Sequence, residues 1–424
     1  MSSSKPNILI VSSYDIGGAS IAAIRLHLAL LKSGFQSRLL TLHKSTGNIH
    51  EHHIYHPSGG WKNKIELKLR QRAVHQQKTA LQLPANQSLS GEYSVPLEAY
   101  DVTDSAHWQW ADIVNLHWVN EWISVENLVA RAGKKPIIWT MHDMHAFTGG
   151  CHYSHGCLGF EIECKNCPML VESSIPQFAH QCWKSKKTAL YVHQPNLRIV
   201  APSQWMINLA RRSSLFGNFE GLRIFNSLDT SIFKPMLREM SMSVLNLPSN
   251  KKVMLSVIQS LKDKRKGFSI LTAALEKMPD PENWVICTVG KLHDTLPKTN
   301  IEHIHLGTIQ DERMMAIIYN SASVFVHPAT EDNLPNVVAE ALCCGLPVAG
   351  FAIGGMPEMV TDSENGFLAQ TVSPELLLEA IQNAISLTNS KARISEKAME
   401  QFSGETQVSL FMNLVGQMLD NHKN

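Results

Sequence analysis

The 424-residue chain has no apolar run approaching the roughly 18 residues that a membrane-crossing helix needs, which excludes a helical span as its organising feature. Its opening, MSSSKPNILIVSSYD, lacks a charged leader followed by a long apolar core. The reading is therefore a soluble cytoplasmic protein, or one attached peripherally at the inner face of a membrane. Excess charge is also lacking, since 38 Lys and Arg face 37 Asp and Glu. With no bulk attraction for a polyanion, no nucleic-acid partner is expected, and a charged ligand must be held by a local site. Cysteine is sparse at 8 residues, unlike a secreted disulfide scaffold, and a reducing compartment makes free thiols or a metal site the expected use. Fixed-period repeats are missing, which argues against a solenoid. So is the three-glycine dinucleotide fingerprint: YDIGGAS follows the first strand-like run, and a nicotinamide cofactor is disfavoured.

What is present alternates short apolar runs with helical patterns, the signature of parallel sheets joined by crossover helices. Strands are expected at 7–13, 38–42, 112–118, 135–141 and 197–203, then at 252–258, 284–290, 302–307, 323–329 and 346–352. The length exceeds what one core usually supports, so the fold class is α/β with two Rossmann-like doubly wound domains, 1–230 and 231–404, facing each other across a cleft. The stretch 226–250 combines turn formers and prolines without a sustained period and reads as the linker. The last segment, 405–424, contains the amphipathic TQVSLFMNLVGQML and is expected to return to the first domain.

In such sheets ligands sit beyond the carboxyl ends of the strands, where helix N-termini offer backbone amides and partial positive charge. HPATEDNLPN is a loop of this kind, between the strand at 323–329 and the helical NVVAEALCC. Amides around Asn333, Leu334 and Asn336 are expected to face a phosphate or a sugar hydroxyl. Asp332 in the loop and Glu340 one turn into the helix are spaced to reach one extended ligand, and carboxylates accept hydrogen bonds from vicinal diols. A surface Glu and an N-terminal cap are the plain alternative. Gly17 and Gly18 lie between the first strand and a helix with apolar Ile21, Ile24, Leu28 and Leu31, where a glycine pair permits close backbone approach. His142 and Asp143 end another strand in IIWTMHDMHAF.

Asp332, seven residues and Glu340, followed by GLPV, GG and PE, resembles the acid-x7-Glu signature of retaining nucleotide-sugar glycosyltransferases of the GT-B fold, the group 1 or family 4 type. DIGGASIAAIRLHLALLKSG, WTMHD, RKGF at 265–268 and the block 323–368 extend the resemblance over most of the chain. It is most similar to bacterial members that build lipopolysaccharide, capsule or exopolysaccharide and carry a cysteine-rich insert after HD. The resemblance implies a UDP- or GDP-sugar donor in the C-terminal domain and a glycan or lipid-linked saccharide acceptor in the N-terminal domain. Glu340 matches the acid that binds the ribose, and Asp332 the acid that contacts the donor sugar. The family usually has Glu at that first position, one methylene longer. Lys266 matches the lysine that neutralises the diphosphate. SVIQS replaces the family's usual Gly-Arg, and Arg265 or Lys264 is expected to take the arginine's place. His142 matches the histidine directed at the donor sugar, as a positioned hydrogen-bond partner, and the Gly17–Gly18 loop faces phosphates and acceptor. Transfer on one face, with the leaving phosphate taking the acceptor proton, then requires no Mg2+, because fixed positive charge neutralises the leaving group. The alternatives are a nucleotide-sugar epimerase of GT-B-like fold and a non-catalytic zinc-stabilised scaffold.

Cys151, Cys157, Cys164 and Cys167 concentrate half of the cysteines within the insert 145–170, the last two as C-x-x-C. Thiolates so spaced can wrap one tetrahedral Zn2+ at about 2.3 Å per bond. His145, His152 and His155 are alternate ligands, and packed thiols or disulfides are the other readings. A four-thiolate site has no open position, so such a metal would be structural. Residues 61–78, with Lys62, Lys64, Lys68, Arg70, Arg72 and Lys78 among Trp61, Ile65, Leu67 and Leu69, read as a basic amphipathic helix, either a solvated face or an interfacial one.

Overall fold

The computed structural model describes residues 5–45, 47, 49–56, 69, 72–73, 75–77, 79–81, 93–94, 100–170, 173–292 and 299–423. The chain divides into two compact units, Met1–Asn226 with Gln407–Asn424, and Ser227–Thr406.

In the first unit, β1 (Asn7–Ser12), β2 (Gln36–Thr41), β3 (His52–Ile54), β4 (Ile113–Leu116), β5 (Ile137–Thr140), β6 (Leu197–Ala201) and β7 (Gly221–Arg223) form one sheet in the order β3-β2-β1-β4-β5-β6-β7. All pairings are parallel, with Ile8 between Ser37 and Ile113, and Trp139 between Leu116 and Ile199. Every residue of β4 and β5 is buried, as expected of central strands covered on both faces. The helix Gly18–Lys32 buries Ala22, Ala23, Leu26 and Leu30. Of the four apolar positions read from the sequence, Ile24 packs against the core and Leu31 is half-buried, whereas Ile21 and Leu28 are exposed. From the last helix, Gly404–Lys423, Val408, Phe411, Leu414, Val415 and Met418 share one apolar cluster with Ile8, Ile10, Leu39 and Ile138.

In the second unit, β8 (Lys252–Ser260), β9 (Trp284–Lys291), β10 (Glu302–His305), β11 (Val324–His327), β12 (Val348–Phe351) and β13 (Gly366–Ala369) form a parallel sheet in the order β10-β9-β8-β11-β12-β13. The stretch 226–250, read as a linker, holds the division between the units at its start, but from Ser227 on it belongs to the second unit and contains the helix Arg238–Val244. That helix is tied to the unit by Arg238, which donates to the carbonyls of Ser321 and Lys251, both at 3.2 Å. The basic helix expected at 61–78 lies largely outside the described residues. Among the described residues no helix is long and apolar enough to cross a membrane.

Each sheet reverses strand order once, between β1 and β4 and between β8 and β11. Crevices at the carboxyl ends of these strand pairs are where doubly wound sheets bind ligands.

Candidate functional site

At the β8–β11 reversal, two loops are locked together before any ligand is considered. Asp263 caps the turn Lys264–Lys266 by accepting from the Arg265 amide at 3.0 Å. Gly267 follows at φ +70, and a Cβ there would lie 1.9 Å from the Pro328 carbonyl oxygen, so only glycine lets this turn press against the loop after β11. The Thr330 amide then donates to the Arg265 carbonyl at 2.8 Å. Arg265 itself donates to the Glu331 carbonyl at 2.7 Å and lies 3.5 Å from Asp263; its guanidinium holds one loop to the other.

This clamp delivers Lys266 to Asp332, with Nζ 2.6 Å from Oδ2, while His327 Nε2, at the end of β11, lies 3.4 Å from the same oxygen. Burial alone would raise the Asp332 carboxyl, but the charge of Lys266, aided by His327 and Arg265, holds it far below the usual carboxylate range. Asp332 is thus a buried, permanently ionised acceptor.

Glu340 is buried on the helix Asn336–Cys343 and accepts from the Tyr319 hydroxyl at 2.8 Å through Oε2. Asn333, Leu334 and Asn336 line the approach to this helix, but the Asn333 amide is turned onto Asp332 Oδ1 at 3.0 Å. It does not face outward as the sequence reading had it, because the aspartate caps its own loop. Asn333 also accepts from the Gly355 amide at 2.7 Å. Gly354 sits at φ +52, where a Cβ would lie 1.6 Å from the Asp332 carbonyl oxygen. The glycine pair therefore lets the 352–356 segment rest directly on the Asp332–Asn333 peptide.

In the first unit, Gly17 at φ +91 caps the helix that Gly18 begins, at the end of β1. His142 follows β5 and is held by a chain of side chains rooted in the sheet. Thr140 donates to Asn115 Oδ1 at 2.9 Å, Asn115 Nδ2 meets His117 Nε2 at 3.1 Å, and His117 Nδ1 meets His142 Nε2 at 2.9 Å. The direction set by Thr140 propagates: Asn115 donates, His117 carries its proton on Nδ1, and His142 accepts through Nε2. Burial lowers both imidazoles, His142 to about 4, so at neutral pH His142 is an uncharged hydrogen-bonding group.

Asp143 turns away from His142. Its Oδ2 accepts from Trp118 Nε1 at 3.0 Å and His152 Nδ1 at 2.6 Å, and its Oδ1 from the His145 amide at 2.9 Å. His152 also meets the Ser94 hydroxyl at 2.8 Å, and the buried Lys186 donates to the carbonyls of His145 and Thr148. The cysteine insert is thereby wired to the strand end that carries His142.

Cys151, Cys157, Cys164 and Cys167 line a single cavity of about 20 Å³, together with Tyr93, Gly149, Gly150 and Lys165. All are free thiols, and burial pushes Cys151 up to about 12 and Cys164 to about 11. The alternate ligands His145, His152 and His155 are not among the residues lining it. Among the described residues, no group of three or more His, Cys, Asp or Glu side chains stands assembled as an ion site.

Tyr319, His327, Asn115 and His117 were not singled out from sequence, and His152 was read only as an alternate metal ligand. Asn115 and His117 carried a signal, as polar residues inside the otherwise apolar run DIVNLHW; Tyr319, inside an ordinary helix, carried none.

Residues 238–401 match the family Glycosyl transferases group 1. The chain is 24% identical over 419 residues, 94% of its own length and 96% of the relative's, to the putative colanic acid biosynthesis glycosyl transferase WcaC of Escherichia coli. Its fold is similar to that of sucrose-phosphate synthase from Thermosynechococcus elongatus, with a TM-score of 0.65 at 16% identity over 98% of this chain and 100% of that one. It is also similar to Anabaena HepE, crystallised with UDP-glucose, with a TM-score of 0.61 at 14% identity over 97% and 100% of the two chains. The chain has the GT-B fold, and residues 238–401 are its glycosyl transferases group 1 domain.

Proposed function

We propose that the chain is a retaining transferase that moves a sugar from a UDP- or GDP-sugar to a glycan or lipid-linked saccharide during surface polysaccharide assembly. The observation that carries this reading is the Lys266–Asp332 pair at the strand-order reversal, 2.6 Å apart, with Glu340 one turn into the next helix. A diphosphate arriving there competes for Lys266 and frees Asp332 to accept from sugar hydroxyls, while Glu340, oriented by Tyr319, accepts from the ribose. Lys266, with Arg265 positioning its loop, stabilises charge growing on the leaving diphosphate. His142 serves the donor sugar as a neutral hydrogen-bond partner. The leaving phosphate takes the acceptor proton on the same face, so the protein supplies no nucleophile, and the cationic side chain takes the part a Mg2+ would otherwise play. The colanic acid role in the name of WcaC and the UDP-glucose bound to HepE support the polysaccharide setting and the donor class. Peripheral contact with a membrane surface belongs to the same proposal, through residues 61–78.

Thermal-shift screening against UDP- and GDP-sugars is the first test, because a ligand bound only by the folded chain raises Tm. One donor series is expected to stabilise, and product NMR should then show the donor's anomeric configuration preserved. Inversion would overturn the retaining mechanism. Conversion of donor alone into an isomeric sugar nucleotide would favour an epimerase.

A further inference from the structure

Outside the donor and histidine groups, the largest set of chemically competent side chains is the four-cysteine cavity of the insert. Among the described residues lining it there is no carboxylate, and Lys165 is the one that bears charge. Its volume of about 20 Å³ admits one small guest. Backbone amides are aimed at the sulfurs: Gly149 donates to Cys164 Sγ at 3.2 Å, Gly159 to Cys157 Sγ at 3.4 Å, and the Met169 and Leu170 amides to Cys167. Amide donors stabilise thiolate, yet several thiolates gathered around one cavity repel one another unless a cation sits among them. Cys164 and Asn166 adopt φ +49 and +52; Asn enters this left-handed region readily, but a Cys keeps it only where the surroundings impose it. The C-x-x-C turn is bent there.

We infer that Cys151, Cys157, Cys164 and Cys167 bind one zinc ion as a structural tetrathiolate site. A soft, divalent, d10 ion suits four sulfurs better than it suits the neutral hydroxyls of Tyr93 and Ser154 that also line the cavity. As the side chains stand, the sulfurs line the cavity without forming an assembled ion site, and the proposed site is completed only when the ion draws the thiolates together. Binding releases those thiol protons to solvent, so uptake weakens as pH falls. Four protein ligands leave no position for substrate. The ion instead fixes the 148–170 segment, and with it His152, whose ring holds Asp143 at 2.6 Å beside His142.

The test uses the full chain purified under reducing conditions without chelator. About one equivalent of zinc is expected, released in step with titration of the four thiols by a mercurial reagent. Cobalt substitution should give the intense sulfur-to-metal charge-transfer absorption of tetrathiolate coordination, and a chelator should lower Tm. Cys167→Ser should abolish zinc retention, whereas Cys182→Ser and Cys287→Ser, outside the cavity lining, should keep it. The inference is overturned by wild-type protein that holds neither zinc nor cobalt, whether its thiols titrate freely in the native state or its mass shows disulfides. Loss of the metal from both control variants would overturn it equally.

Discussion

Lys266 Nζ and Asp332 Oδ2 lie 2.6 Å apart across 66 residues of sequence, joined because the turn after β8 and the loop after β11 are pinned to each other. The pair is mostly buried, with side-chain exposures of 20% and 10%. Removing one partner strands the other as an uncompensated charge, which costs about 3 kcal/mol in buried pairs.

Lys266→Ala should therefore destabilise the second unit and, in protein that still folds, lower kcat by roughly a hundredfold or more. The loss should fall on kcat more than on donor affinity, since charge on the leaving diphosphate grows toward the transition state. Steady-state kinetics paired with calorimetry decides it. Unchanged kcat with weakened binding would remove Lys266 from leaving-group stabilisation.

Glu340 and Tyr319 give a graded test of the ribose contact. Glu340→Ala should weaken nucleotide binding by about 1 to 3 kcal/mol, the range for hydrogen bonds to a charged group, and Tyr319→Phe by about 1 kcal/mol or less. Isothermal calorimetry with the matching nucleoside diphosphate is the measurement. Wild-type affinity in Glu340→Ala would place the ribose elsewhere.

The parts of this architecture that were legible in the sequence are those buried on both sides. Central strands such as β4 and β5 must be apolar throughout, and IVNL and IIWT declared themselves. β3, β7 and β13 escaped because each closes an end of its sheet. HHI and GLR meet partial burial and need no apolar run, and Leu222 of β7 is 41% exposed. At the site, spacing within one loop and helix placed Asp332 near Glu340. Lys266 apart, the partners that tune them went unread: Tyr319 reaches Glu340 from the preceding helix, Glu312–Ser321, and His327 reaches Asp332 from the end of β11, contacts set by packing and loop geometry that no periodic pattern announces.

Acid should unfold the first unit through its buried histidines. His27, enclosed by the Ser37 hydroxyl at 2.8 Å and the His50 carbonyl at 2.7 Å, has its pKa lowered to about 4 by burial, as does His142. A depressed histidine pKa means the fold prefers the neutral ring. Above the unfolded value near 6.5 both states are neutral and nothing is lost. As pH falls from about 6.5 toward 4, the unfolded chain takes up protons that the native chain refuses, and stability declines. At pH 5 each such histidine should cost on the order of 2 kcal/mol relative to pH 7. Urea unfolding at the two pH values measures the difference, and His27→Gln should shrink it; a variant with the full wild-type difference would contradict the assignment of His27.

The sharpest probe of the Asp332 loop leaves every charged group in place. Gly354→Ala puts a Cβ at φ +52 and 1.6 Å from the Asp332 carbonyl oxygen, so the 352–356 segment has to lift off the peptide that it covers. Gly17→Ala is the control, because Gly17 also has positive φ, +91, but nothing within 4 Å of its Cβ position. The control should show backbone strain alone, about 1 to 3 kcal/mol. Gly354→Ala should add steric displacement to strain, lowering Tm further and weakening donor binding, because the Asn333–Gly355 contact and the seat of Asp332 move together. Equal Tm losses in the two variants, with donor affinity intact in Gly354→Ala, would show that the glycine pair does not hold Asp332 in position.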